Sequence, residues 1–194
     1  MKDREKVRQV RAISTQFTAH DGDEGNAPHI SGYFILYNSI YEIAPGMTES
    51  VAPGAFSRSL GGDIRALVNH NSTLVLGRTK VKTLTLLEDE LGLWGDVTIN
   101  PNDMDAMNLH ARVKRGDVDQ CSFGFELIKQ KTDFRDDGSI HWTLTEINLL
   151  EVSACTFPAY KETNISARSA EREALQRRRL EMWKNEMKGR IAPC

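Results

Sequence analysis

A mainly β fold with flanking helices, of the α+β class, is what this 194-residue sequence predicts, on three observations. Apolar and polar residues alternate at 81–87, 91–99 and 122–127, the period of two that a half-buried strand requires, and residues 30–37 are rich in aromatic and branched side chains. Clusters of Gly, Pro, Asn and Asp separate them, as turns do. Only residues 102–115 and the charged stretch beyond Ser166 carry caps and charge order of helical type.

The elements follow in order. Residues 10–19 alternate weakly, a first strand that dissolves into the polar loop 21–28. Ile30 to Tyr37, rich in aromatic and branched residues, is the strongest early strand, and Tyr41 to Gly46 is a short one ending in a Pro-Gly turn. Residues 49–60, with Pro53-Gly54 before an amphipathic turn, predict a small helix stopped by Gly61-Gly62. Asp63 to His70 is a strand, restarting at Leu74 to Arg78 after a polar break, so His70 lies at a strand-to-loop junction. Val81–Leu87 and Leu91–Ile99 form a hairpin about Glu88-Asp89-Glu90.

Asn102 is the expected cap of a helix beginning near Asp103, with Asp105 in its first turn, Arg112, Lys114 and Arg115 in its last, and Gly116 beyond. That helix delivers the chain into a strand where Phe123, Phe125 and Leu127 alternate with Ser122, Gly124 and Glu126. After the hairpin loop 133–138, residues 140–154 supply one long or two short strands, and Phe157-Pro158-Ala159-Tyr160 ends the sheet. From Ser166 a charged helix of about five turns is expected, with Ser169 as its cap. Its Arg177-Arg178-Arg179 reads as a solvated face before it reads as a docking or processing segment. The chain thus divides into a body, residues 1–165, and a helical tail, residues 166–194.

Composition narrows the function classes. A net charge of −2 offers no electrostatic footprint for nucleic acid or an anionic membrane. No apolar run is long enough to span a bilayer, and no export signal is expected. Cys121, Cys155 and Cys194 are odd in number and widely spaced, which suits a reducing compartment. No HExxH helix, CxxC pair or phosphate-cradling glycine loop is present, so neither a metal nor another cofactor is expected.

The chemistry-bearing residues are of the kinds that acyl transfer by a hydroxyl needs: a nucleophile, a base and a group orienting the base. Ser122 sits mid-strand with Gly124 two residues on, which would leave room for an approaching carbonyl. His70 would accept its proton, and Glu151 would hold the imidazole tautomer. Taken alone, each has a plainer reading as a small strand residue, an exposed histidine and a solvent-facing glutamate. His20, His29, His110 and His141 are rival bases, Glu146 a rival carboxylate, and Cys121 a rival nucleophile expected to face the core.

An ordered set of motifs adds to this reading. Gly32-Tyr33 with Tyr37-Asn38, Pro53-Gly54-Ala55-Phe56, Asn69-His70-Asn71 with Leu76-Gly77-Arg78, Ser122-Phe123-Gly124-Phe125, and Glu151-Val152-Ser153 with Thr156-Phe157-Pro158-Ala159 resemble the prohead maturation proteases of tailed bacteriophages over residues 10–162. That resemblance implies an antiparallel β-barrel ringed by helices, similar in fold to the herpesvirus capsid maturation proteases. It implies a serine endopeptidase in the host cytoplasm, inside the assembling procapsid, that cleaves the major capsid protein or its scaffolding segment and also itself. By motif, His70 is the base, Ser122 the nucleophile and Glu151 the third member, where the herpesvirus relatives carry a second histidine. Association into a homo-oligomer fits the same family. A non-catalytic scaffold that binds capsid protein is the alternative, and a cysteine peptidase using Cys121 ranks last.

Overall fold

The computed structural model describes residues 8–14, 17–157 and 169–191, which form eleven strands and two helices. Strands β1 (Arg8–Ser14), β2 (Thr18–His20), β3 (His29–Leu36), β4 (Tyr41–Ala44) and β5 (Met47–Val51) precede β6 (Arg65–Val68) and β7 (Asn71–Arg78). A 3-10 turn at Thr79–Val81 leads to β8 (Leu84–Glu88) and β9 (Gly92–Thr98). Helix α1 (Met104–Arg115) then opens onto β10 (Gln120–Phe134) and β11 (Ile140–Cys155), and α2 (Ser169–Ile191) comes last. Residues 158–168, where the end of the sheet and the start of the tail were expected, lie outside the described residues.

The strands divide into two sheets. One runs β1-β10-β11-β5-β4, with β6 on β11 and β7 on β6; the other runs β2-β3-β9-β8. The result is mainly β with few helices, but hydrogen bonding among the described residues closes no single barrel, and it is not all antiparallel: β11 pairs in parallel with β5 at one end and with β6 at the other. Between those two contacts Ala52 donates to the Leu144 carbonyl and Ile147 to that of Ala55, so the middle of β11 is also satisfied. Two distant segments are thereby seated on one long strand.

The core is shared by both sheets and α1. Phe34, Leu93 and Val97 come from one sheet, Phe123, Phe125 and Val152 from the other, and Ala106, Leu109 and Val113 from the helix. At the far end Ile43, Met47, Ile140 and Trp142 form a second cluster. Helix α1 is capped by Asp103, one residue later than Asn102, through its carboxylate and the Asp105 and Ala106 N–H groups. Gly116 closes it at φ 86°, a conformation that a Cβ would penalise.

Three expectations change. Residues 10–19 are two strands in different sheets, not one. Residues 49–51 belong to β5, and 53–62 are successive turns rather than a helix. In those turns Ser57, Ser59 and Gly62 each donate a backbone N–H three residues back. The Ser57 and Ser59 hydroxyls bond the carbonyls of Gly54 and Phe56, competing with the helical ladder. The third change concerns α2, whose arginines are not merely solvated. Arg178 donates to the Arg135 carbonyl at 3.1 Å and lies over the Phe134 ring at 5.1 Å, resting the helix on the tip of the β10–β11 hairpin.

A buried charge ties β1 to the body. Arg11 and Glu49 are each 1% exposed and form a two-pronged ion pair, with Nη2 to Oε2 at 2.9 Å. Among the described residues no helix is long and apolar enough to cross a membrane, and no cluster of three His, Cys, Asp or Glu could hold a metal ion.

Candidate active site

His70 is placed by a two-residue turn. Val68 pairs with Asn71, leaving Asn69 and His70 at the corner with φ of 49° and 61°. Two successive positive φ values suit the twist of a tight hairpin but are costly for a histidine, so partners must hold it there. They do: the His70 N–H donates to Ser153 Oγ at 3.2 Å, and Asn69 N–H to the Ala154 carbonyl at 2.9 Å. In the ring, Nδ1 lies 2.7 Å from Glu151 Oε1. A carboxylate only accepts, so Nδ1 carries the proton and Nε2 is left as the basic atom.

Glu151 reaches that position because of an irregularity in β11. Gly124 pairs with Glu151 but Phe125 with Leu149, so Leu150 is an extra residue, a β-bulge. Ile147 and Leu149 face the core before it, and Val152 and Ala154 face the core after it. Unbroken alternation from Leu149 would send Glu151 into the core. The bulge reverses the phase, so Glu151 and Ser153 share the opposite face with their cross-strand partners Gly124 and Ser122.

Gly124 makes that packing possible. A Cβ there would run into Glu151 Oε1 and stand 2.9 Å from Nε of Arg8. The space expected to admit a substrate carbonyl is therefore filled by the carboxylate and its partner. Glu151 Oε1 also accepts from Arg8 at 2.7 Å, and Oε2 from the Ser153 hydroxyl at 2.7 Å. Burial pushes the Glu151 carboxyl up, but the hydrogen bond and charge of His70, with the Ser153 and Arg8 donors, hold it below its ordinary value.

Ser122 lies on this face directly opposite Ser153, with no exposed surface. Its hydroxyl donates to the Arg11 carbonyl of β1 at 2.7 Å, so its proton is directed toward β1 and away from His70. The neighbour of His70 Nε2 is instead Cys155 Sγ, at 3.8 Å. Burial pushes the Cys155 thiol up to about 12, which keeps it protonated and unreactive.

The rivals are occupied elsewhere. Glu146 pairs with Arg58 at 2.8 Å and Lys129 at 2.5 Å on the outer surface. His110 bonds the His20 carbonyl at 2.9 Å, and His20 stacks on His29. Cys121 faces the core against the Tyr33 and Phe34 carbonyls. His141 does have a serine partner, Ser50 Oγ at 3.0 Å from Nε2, but its Nδ1 meets the Thr48 hydroxyl, which bears no charge to steady an imidazolium. The sequence carried no mark of Arg8 or Arg11 at the site, because their partners come from other strands, whereas Ser153, two positions from Glu151, shares its strand face by alternation.

A histidine oriented by a buried carboxylate, beside a strand serine on a two-sheet β fold, is a set of parts used by serine hydrolases. The chain belongs to the Caudovirus prohead serine protease family, whose model matches residues 14–178. It is 29% identical over 140 residues to the prohead protease of Enterobacteria phage HK97, an overlap of 70% of this chain and 60% of that protein. In fold it is similar to the bacteriophage T4 capsid assembly protease, with a TM-score of 0.53 and 10% identity over 76% of this chain and 96% of that one.

Proposed function

We propose that the chain is a serine endopeptidase that cleaves capsid protein or its scaffolding segment, and itself, within an assembling procapsid. The observation that carries this is the His70–Glu151 pair, whose carboxylate shares a sheet face and the β10–β11 strand pair with Ser122 in a chain of this family. Catalysis begins when the Ser122 hydroxyl leaves the Arg11 carbonyl and donates to His70 Nε2. Its Oγ then attacks the scissile carbonyl carbon while the proton passes to Nε2. Collapse of the tetrahedral intermediate breaks the C–N bond and His70 protonates the departing amine; water, deprotonated by His70, then attacks the ester, and the acyl C–Oγ bond breaks as His70 returns the proton to Ser122. Glu151 keeps its charge throughout and stabilises the imidazolium.

With this goes a reading of the two sheets as parts of one barrel of the herpesvirus-protease type, meeting at the β7–β8 corner, where Thr83 donates its N–H to the Arg78 carbonyl. Residues 166–194 are read as a docking or processing segment, of which Arg178 meets the hairpin. A homo-oligomeric active form belongs to the same reading.

One observation favours a non-catalytic assembly module instead: the Ser122 hydroxyl is buried and already bonded. Mass spectrometry of the full chain, incubated alone and with its cognate capsid protein, separates the two. Internal cleavage that Ser122→Ala abolishes supports the protease; binding of capsid protein with no cleavage supports the module.

A further inference from the structure

Ser153 bonds both halves of the His70–Glu151 pair. Its Oγ accepts the His70 backbone N–H at 3.2 Å and donates to Glu151 Oε2 at 2.7 Å, and the residue is fully buried. The first contact holds a left-handed histidine that has little reason of its own to stay there. The second fixes the plane of the carboxylate.

That plane matters because Oε1 is contested. Arg8, with a side chain 41% exposed, bonds the same oxygen as His70 Nδ1, each at 2.7 Å. Released at Oε2, the carboxylate could turn about its last bond toward the guanidinium and leave Nδ1 without an acceptor. The imidazole would then lose the tautomer that makes Nε2 basic.

Resting on the protease reading, we infer that Ser153 is a positioning residue: its hydroxyl holds the Glu151 carboxylate on His70 against the pull of Arg8, and so keeps Nε2 as the base. It touches no reacting atom; it acts through the pair.

The test uses the full chain with 15N-labelled histidine, a fluorophosphonate as serine probe, and the variants Ser153→Ala and Ser153→Thr. Nitrogen NMR reads the His70 tautomer, and mass spectrometry reads the rate of Ser122 labelling. In the wild type Nδ1 carries the proton. In Ser153→Ala the two tautomers mix and labelling slows about tenfold or more, the effect of losing a hydrogen bond to a charged group. Ser153→Thr, which keeps the hydroxyl, restores both. A folded Ser153→Ala protein with the wild-type tautomer and labelling rate overturns the inference, as does a folded threonine variant that behaves like alanine. If the alanine variant does not fold, Ser153→Cys takes its place under the same expectations. A wild type that the probe never labels refutes the protease reading instead, and the tautomer alone then decides the role of Ser153.

Discussion

Nδ1 of His70 lies 2.7 Å from Oε1 of Glu151, although one residue sits in the β6–β7 turn and the other in β11, 81 positions apart. Parallel pairing of β6 on β11 brings them near, the Asn69-His70 turn aims the ring, and the Leu150 bulge aims the carboxylate. Each of these features makes a separate expectation.

Replacing Glu151 by Gln should slow the fluorophosphonate reaction by about 10² to 10⁴, the range for losing one member of an acid–base pair. Glu146→Gln should change it little, because that carboxylate lies outside the pair. Labelling rates of the two variants, compared with wild type, check this.

Stability should respond to the same carboxylate through pH. Its folded value is held below the ordinary 4.5, so ionised Glu151 stabilises the fold above the unfolded value. That contribution is lost as pH falls through the lower folded value. Urea denaturation across this window should show Glu151→Gln less stable than wild type near neutrality, by about 1–3 kcal/mol, with the difference shrinking on acidification.

Gly124→Ala should lower stability and activity together. The new Cβ drives the Glu151 carboxylate off His70, so the loss of about 1–3 kcal/mol from that pairing outweighs the roughly 0.5–1 kcal/mol that alanine gains as a strand residue, and the melting temperature should fall. With its carboxylate pushed off His70, the protein should label at least about tenfold more slowly. A kinetic assay beside calorimetry reads both.

The Arg11–Glu49 pair should behave as a buried ion pair. Glu49→Ala leaves a guanidinium uncompensated and should cost about 3–5 kcal/mol, whereas the double change Arg11→Met with Glu49→Leu should recover most of that. Chemical denaturation of the single and double variants is the check. Because β1 also supplies the carbonyl that holds Ser122, the single variant should alter labelling of Ser122 as well.

Much of the strand framework was legible, from alternation where one face meets a core, as at Phe123 and Phe125, and from aromatic and branched residues at Ile30 to Tyr37. Helix α1 was legible from its carboxylate cap, its basic last turn and Gly116. The turns at 53–62 were not, since Ser57 and Ser59 bond backward in a way that an amphipathic pattern conceals. The parallel seating of β5 and β6 on β11 depends on contacts between distant segments that carry no local mark. At the site, His70, Ser122 and Glu151 stood out as polar residues in strand settings. The choice between Glu151 and Glu146 did not, because one extra residue at Leu150 decides which face each strand position occupies. Arg8 was illegible because its partner Glu151 lies on a distant strand, while Ser153 follows Glu151 onto one face by alternation.

If Ser122 is a nucleophile with His70 as its base, a fluorophosphonate added to the full chain should form a single adduct on Ser122, located by mass spectrometry, absent from Ser122→Ala and nearly absent from folded His70→Ala. An adduct on another residue, an adduct that survives loss of His70 at the full rate, or no adduct at all would show that Ser122 and His70 do not act in this way.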